Sequence, residues 1–167
     1  MVQTKTQILT AEKIFRILKR ITVHLYENNL EAESLVIVGV HDQGYKMAEY
    51  IQGELKGIDK SFSTTLVELK LDKKKPEGDI TVNVDLSDLA GKTVVLVDDV
   101  LNTSRTLAYA LKYLLQVPIK KLETAVLINR SHASFPISAT YSGYELATAL
   151  DEHIEVSLEG EIGAFLY

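Results

Sequence analysis

Three segments that are apolar almost throughout, "LVIVGV" at 35–40, "TVVLV" at 93–97 and "ETAVLIN" at 123–129, constrain the fold more than any other feature of the chain. A strand wetted on one face alternates apolar and polar side chains. These do not, so both of their faces must be covered. The covering elements are legible in the helical periodicity around them. Ile14, Leu18, Ile21 and Leu25 follow at spacings of four, three and four, which puts them on one face of an opening helix that ends near Asn28–Asn29. Thr10 suits its N-cap and Glu12 its first turn. A second helix carries Met47, Ile51 and Leu55 on one side, and 104–115 reads as a third, leading through Pro118 into the strand at 123–129. Strands alternating with helices predict an α/β fold with a mostly parallel central sheet flanked by helices.

The remaining strand candidates are "FSTTLVEL" (62–69) and "ITVNV" (80–84), separated by the polar "KLDKKKPEGD" (70–79), and "IEVSL" (154–158) and "GAFLY" (163–167) at the end of the chain. With 167 residues, 46% of them hydrophobic, the chain can bury one sizeable core but not two, so 1–167 reads as a single domain. There is no cysteine, which removes disulfides, thiolate chemistry and Cys-based zinc sites. No basic segment followed by an apolar stretch opens the chain and no apolar run reaches bilayer length, so a soluble cytoplasmic protein without a membrane partner is expected. A net charge of −5 argues against indiscriminate nucleic-acid binding.

One strand ends in an unusual way. In "VVLVDDVLNTSRTL" (94–107) the apolar run meets two adjacent acids, Asp98 and Asp99, then passes through Asn102, Thr103 and Ser104 to Arg105, Thr106 and Leu107. In a parallel sheet covered on both faces, the ligand crevice lies beyond the carboxyl ends of the strands, where both acids can reach it. The turn that follows opens a helix whose first N–H groups lack partners and carry the positive end of the dipole. Thr103, Ser104 and Thr106 add hydroxyls. Carboxylates for hydroxyls beside N–H groups for phosphate suit a sugar phosphate. The same pair could also hold Mg²⁺ in a receiver-like domain or simply cap a helix.

The stretch resembles the phosphoribosyl-diphosphate (PRPP) signature of the type I phosphoribosyltransferases: four apolar residues, two acids, two apolar residues and a Thr-rich turn. "DDVL", Thr103 and the "RT" of Arg105 and Thr106 are most similar to the PyrR-type branch, bifunctional pyrimidine operon regulators with uracil phosphoribosyltransferase activity. "KRITVHLYENN" (19–29), "LVIVGVHDQG" (35–44) and "LINRSHASFPISATYSGYELAT" (127–148) extend the likeness over most of the chain.

The resemblance implies a central sheet with a short flap and a small C-terminal hood. It places Asp98 and Asp99 on the two ribose hydroxyls, as the catalytic pair, and 102–106 around the 5′-phosphate. Gly39, Val40, His41, Asp42, Gln43 and Gly44 would form the loop that cups diphosphate, and 69–79, with Lys73 to Lys75, the flap that closes over PRPP. Arg130 would lie near the base pocket. Mg²⁺ would arrive bound to PRPP, touching the protein at most through Asp98 and Asp99, and a homo-oligomer, dimer or higher, is expected. Asn102 stands where hypoxanthine-type enzymes tend to carry an Asp; lacking a general base there, the chain suits a pyrimidine base or nucleotide, uracil foremost, as the partner of PRPP.

Departures from the branch cluster around diphosphate. Asp42, Gln43 and Gly44 replace its usual Thr-Arg-Gly; Lys70, Leu71, Asp72 and Lys73 align with its Tyr-Arg-Asp-Asp; Ser104 replaces a Gly; and Asn129, Ser131 and Ala133 replace Asp, Gly and Arg. His24, His132 and His153 show no metal-ligand spacing. Two function classes follow: a phosphoribosyltransferase acting on a pyrimidine, and a nucleotide-sensing regulator with little turnover, for which RNA is a partner that the acidic balance disfavours.

Overall fold

The three apolar runs become the middle of a six-stranded sheet in the computed structural model, which describes residues 5–149 and 152–167. β2 (Leu35–Val40) lies between β3 (Thr64–Lys70) and β5 (Thr93–Leu101), and β6 (Lys121–Asn129) follows β5 on its other side. All three of these pairings are parallel, in register Leu35↔Thr64, Leu35↔Thr93 and Thr93↔Lys121. β7 (Tyr141–Glu145) adds a parallel strand at one edge, and the two-residue β4 (Thr81–Val82) an antiparallel one at the other.

Helices cover both faces, as the strand composition requires. On one side α1 (Ala11–Glu27) and α2 (Gln43–Ile58) bury Ile14, Leu18, Ile21, Leu25, Met47, Ile51 and Leu55 against Ile37, Val95, Val97 and Leu127. Thr10 caps α1, its side chain accepting the Lys13 amide. On the other side α3 (Arg105–Leu114), with a short 3₁₀ turn at Leu86–Leu89, packs Leu107, Ala110 and Leu114 on Val36, Val38, Val94, Leu96 and Val126. Each of these side chains is at most 2% exposed, and burying one of the Val, Leu, Ile or Met side chains fully contributes about 1.5–3 kcal/mol.

The hood is a separate three-stranded antiparallel sheet in the order β1 (Thr6–Thr10), β9 (Gly163–Leu166), β8 (Ile154–Ser157). It is not purely C-terminal: its outer strand comes from the start of the chain. Among the described residues no helix is long and apolar enough to cross a membrane.

Expected boundaries move at three places near the acid pair and the flap. β5 runs past the acids to Leu101, because its pairing with β6 continues from Asp98↔Val126 to Leu101↔Asn129 while β2 stops at Val40. The flap begins after Lys70, not at Leu69: Leu69 is fully buried and both residues pair with β4. The strand expected at 80–84 shrinks to Thr81–Val82.

Candidate active site

Asp98 and Asp99 occupy the part of β5 that extends beyond β2, on the rim of a cavity of about 620 Å³. The volume suits a nucleotide-sized ligand. The cavity is lined by the turn Asn102–Ser104 and the start of α3, and by His153 with Ile154, Glu155 and Val156 of β8 in the hood.

The acids differ in exposure: the side chain of Asp98 is 3% exposed and that of Asp99 13%. The flap reaches them. Lys73 Nζ donates to Asp98 Oδ1 at 2.8 Å and to Asp99 Oδ1 at 3.1 Å. Burial acts to lower the Lys73 pKa, but the two carboxylates outweigh it and hold the ammonium well above the usual lysine value. Burial and the neighbouring charge of Asp99 push Asp98 up, whereas the charge of Lys73, working against burial, brings Asp99 down. The flap is fastened at a second point, where Arg105 Nη2 meets Glu77 Oε2 at 2.7 Å.

Gly44, the second residue of α2, makes the close approach on which the acid pair depends. A Cβ there would lie 2.8 Å from the Val97 carbonyl and 2.9 Å from Asp98 Cα. Any larger residue would push α2 off the acids. Gly39 meets the same limit, since its Cβ would strike Tyr45 Cα and Ala48.

In the turn before α3, Ser104 holds a left-handed conformation, φ 65°, that glycine adopts at less cost. Its hydroxyl donates to the Ile137 carbonyl at 2.9 Å instead of capping α3. The sequence reading that counted Ser104 among the hydroxyl donors of the crevice is therefore corrected: its side chain anchors the turn from behind. Thr103 Oγ1 accepts the Arg105 amide at 3.3 Å, and its carbonyl accepts the amides of Ser134 and Phe135. The α3 N-terminus is thus a pinned turn without a side-chain cap from Ser104, the arrangement that receives an anion.

The candidates from the sequence do not all converge. Gln43, Lys73, Asp98, Asp99, Asn102, Thr103, Ser104, Arg105, Thr106 and Arg130 line the cavity. Gly39 and Val40 are the last two residues of β2, both buried, and Gly44 packs closely against Asp98. His41 and Asp42 sit outside the cavity in the turn before α2, where His41 Nδ1 lies 2.6 Å from Glu68 Oε1. Gln43 is committed elsewhere: its Oε1 accepts the Leu158 amide at 2.9 Å and its Nε2 donates to Asp42. With Lys46, which pairs with Glu159 at 2.7 Å, it ties the loop to the hood.

Sequence reasoning missed the β8 wall and this tie. "IEVSL" was legible as a strand, with Ile154 and Val156 buried as its alternation implies, but no local signal places it opposite β5.

A family model described as a phosphoribosyl transferase domain matches residues 4–159. A bifunctional protein PyrR of Deinococcus radiodurans is 36% identical over 95% of this chain and 91% of that protein. One from Macrococcus caseolyticus is 37% identical over 93% and 92%, and a pyrimidine operon regulatory protein of Lactococcus lactis 32% identical over 95% and 93%. Among solved structures, a hypoxanthine phosphoribosyltransferase from Staphylococcus aureus superposes with a TM-score of 0.73 at 20% identity over 89% of this chain and 80% of that one. That of Trypanosoma cruzi gives 0.75 at 18% identity over 86% and 83%. At those identities the likeness is one of fold.

Proposed function

The chain belongs to the phosphoribosyl transferase family, on the branch of the PyrR-type proteins, and from that premise we propose that it transfers ribose 5-phosphate from PRPP to a pyrimidine base, uracil foremost, releasing diphosphate. The observation that carries the reading is the meeting of Asp98 and Asp99 in one cavity with the start of α3, where Ser104 gives no side-chain cap. Carboxylates 98 and 99 take the ribose hydroxyls, and the amides of the turn and of α3 take the 5′-phosphate. In the reaction the bond from ribose C1 to the diphosphate oxygen breaks, the bond from C1 to N1 of the base forms, and the N1 proton passes to the departing diphosphate. Catalysis is then mostly positioning and electrostatics: the pocket fixes the electron-poor ribose between base and leaving group. The flap, held through Glu77 on Arg105, excludes water that would otherwise hydrolyse it.

Asp98 and Asp99 are hard oxygen donors of the kind Mg²⁺ takes, and a Mg²⁺ carried in on PRPP would help neutralise the diphosphate. A thermal-shift series with PRPP, UMP, UTP, GMP and uracil, each with Mg²⁺, tests the reading: PRPP and UMP should stabilise the protein, and GMP should do so least.

A second reading, a nucleotide-sensing regulator with slow turnover, is favoured by one observation. Gln43 stands where the branch usually has an arginine for diphosphate, and it is bonded to the hood instead. The relatives named as operon regulators agree with such a role.

A further inference from the structure

Arg130 follows β6 and is only 4% exposed, yet among the described residues it has no carboxylate partner. Its Nε donates to Thr148 Oγ1 at 3.0 Å, and its Nη2 to the same hydroxyl and to the carbonyls of Ala149 and Glu152 at 3.1 and 2.9 Å. Its Nη1 donates to Asn102 Oδ1 at 3.2 Å.

Two consequences follow. A guanidinium offers donors only, so the Asn102 atom facing it must be the amide oxygen. The Asn102 NH₂ group is thereby turned away from Arg130, and it meets no acceptor among the described residues. In addition, a buried positive charge stands beside the cavity, with no carboxylate partner among the described residues. Asn102 and Arg130 both line that cavity, together with Ile154 and Val156 of the hood.

We infer that Asn102, locked by Arg130, is a specificity-determining donor at the base end of the cavity, which reads a carbonyl oxygen of the base and rejects an exocyclic amino group. This rests on the reading of the cavity as the ribose-phosphate site. A 4-oxo pyrimidine brings an acceptor to the Asn102 NH₂ group. A 4-amino pyrimidine brings donors against a donor, and leaves both sets unpaired out of bulk water. The positive guanidinium beside the cavity favours the same choice, because the carbonyl oxygens of uracil gain negative charge as its N1 proton leaves. Asn102 is itself exposed in its turn, so substitutions there leave the core intact.

The test is calorimetric titration of the wild type with UMP, CMP and ribose 5-phosphate, and of Asn102→Leu and Asn102→Asp with the two nucleotides. The wild type is expected to bind UMP at least about tenfold tighter than CMP. Asn102→Leu, which has no donor, should bring the two within about threefold. Asn102→Asp, which pairs with Arg130 and presents an acceptor, should reverse the preference. Equal affinities for UMP and CMP in wild type, or a preference that survives both substitutions, overturn the inference; if ribose 5-phosphate still binds, the site reading stands. Failure of ribose 5-phosphate and both nucleotides to bind overturns the inference and the site reading together.

Discussion

Lys73 Nζ lies 2.8 Å from Asp98 Oδ1, on the carboxylate proposed to receive a ribose hydroxyl. The flap lysine and the ligand therefore compete for one set of oxygens. Lys73→Met removes the competitor and leaves the carboxylates open, so UMP should bind about fivefold tighter, about one hydrogen bond's worth, by calorimetry. Weaker binding in the variant would mean that Lys73 holds the nucleotide itself.

The acid pair also sets a pH dependence. Burial and the charge of Asp99 push Asp98 up to about 8, above the ordinary aspartate value it has in the unfolded chain. A group whose pKa is raised on folding contributes its stability at low pH and loses it as pH rises through the folded value. From about pH 4 to 8 the folded protein thus holds a proton that the unfolded chain has released. Thermal unfolding of the wild type should show a melting temperature that falls over this window relative to Asp98→Asn. Parallel curves for the two proteins would remove the raised pKa from the description.

Gln43 is placed between two tasks. Asp42→Thr with Gln43→Arg returns the loop to the pattern usual for the branch, with a guanidinium able to meet the leaving diphosphate in two hydrogen bonds. The same change removes the bond from the Leu158 amide to Gln43, so the double variant should lose about 1 kcal/mol of stability in urea unfolding while gaining turnover. An already vigorous wild-type rate that the substitution does not improve would show that another group, such as His41 or a flap lysine, supplies the positive charge.

With a net charge of −5, specific RNA binding is expected to be weak or absent at physiological salt. Tight, sequence-selective retention of a pyrimidine-operon leader in a gel-shift assay would instead favour the regulator reading.

The elements legible in the sequence are those whose partners are dictated by composition. β2, β5 and β6 are apolar on both faces and could only be central strands, and the Ile14–Leu25 spacing could only be one helical face. That Asp98 and Asp99 line a cavity was legible because carboxylates at that place in such a sheet point to a crevice. That β5 continues through them was not, because ladder bonds run along the backbone and continue to β6 whatever the side chains are. β1 was invisible because its partner β9 lies at the other end of the chain, and β7, "YSGYE", is a polar edge whose Gly143 is pressed against Ile17 and Leu127. The lock of Arg130 on Asn102 joins residues 28 apart through their side chains, a relation that no local period encodes.

The most direct measurement is diphosphate release from PRPP and Mg²⁺, with and without uracil, by the wild type and by Asp98→Asn with Asp99→Asn. Release by the wild type should depend on uracil, and the double variant, shown to be folded by its thermal unfolding, should lose it by at least about a hundredfold. A wild type that releases no diphosphate with uracil, or a folded double variant that keeps the wild-type rate, would contradict the assignment of phosphoribosyl transfer to this acid pair.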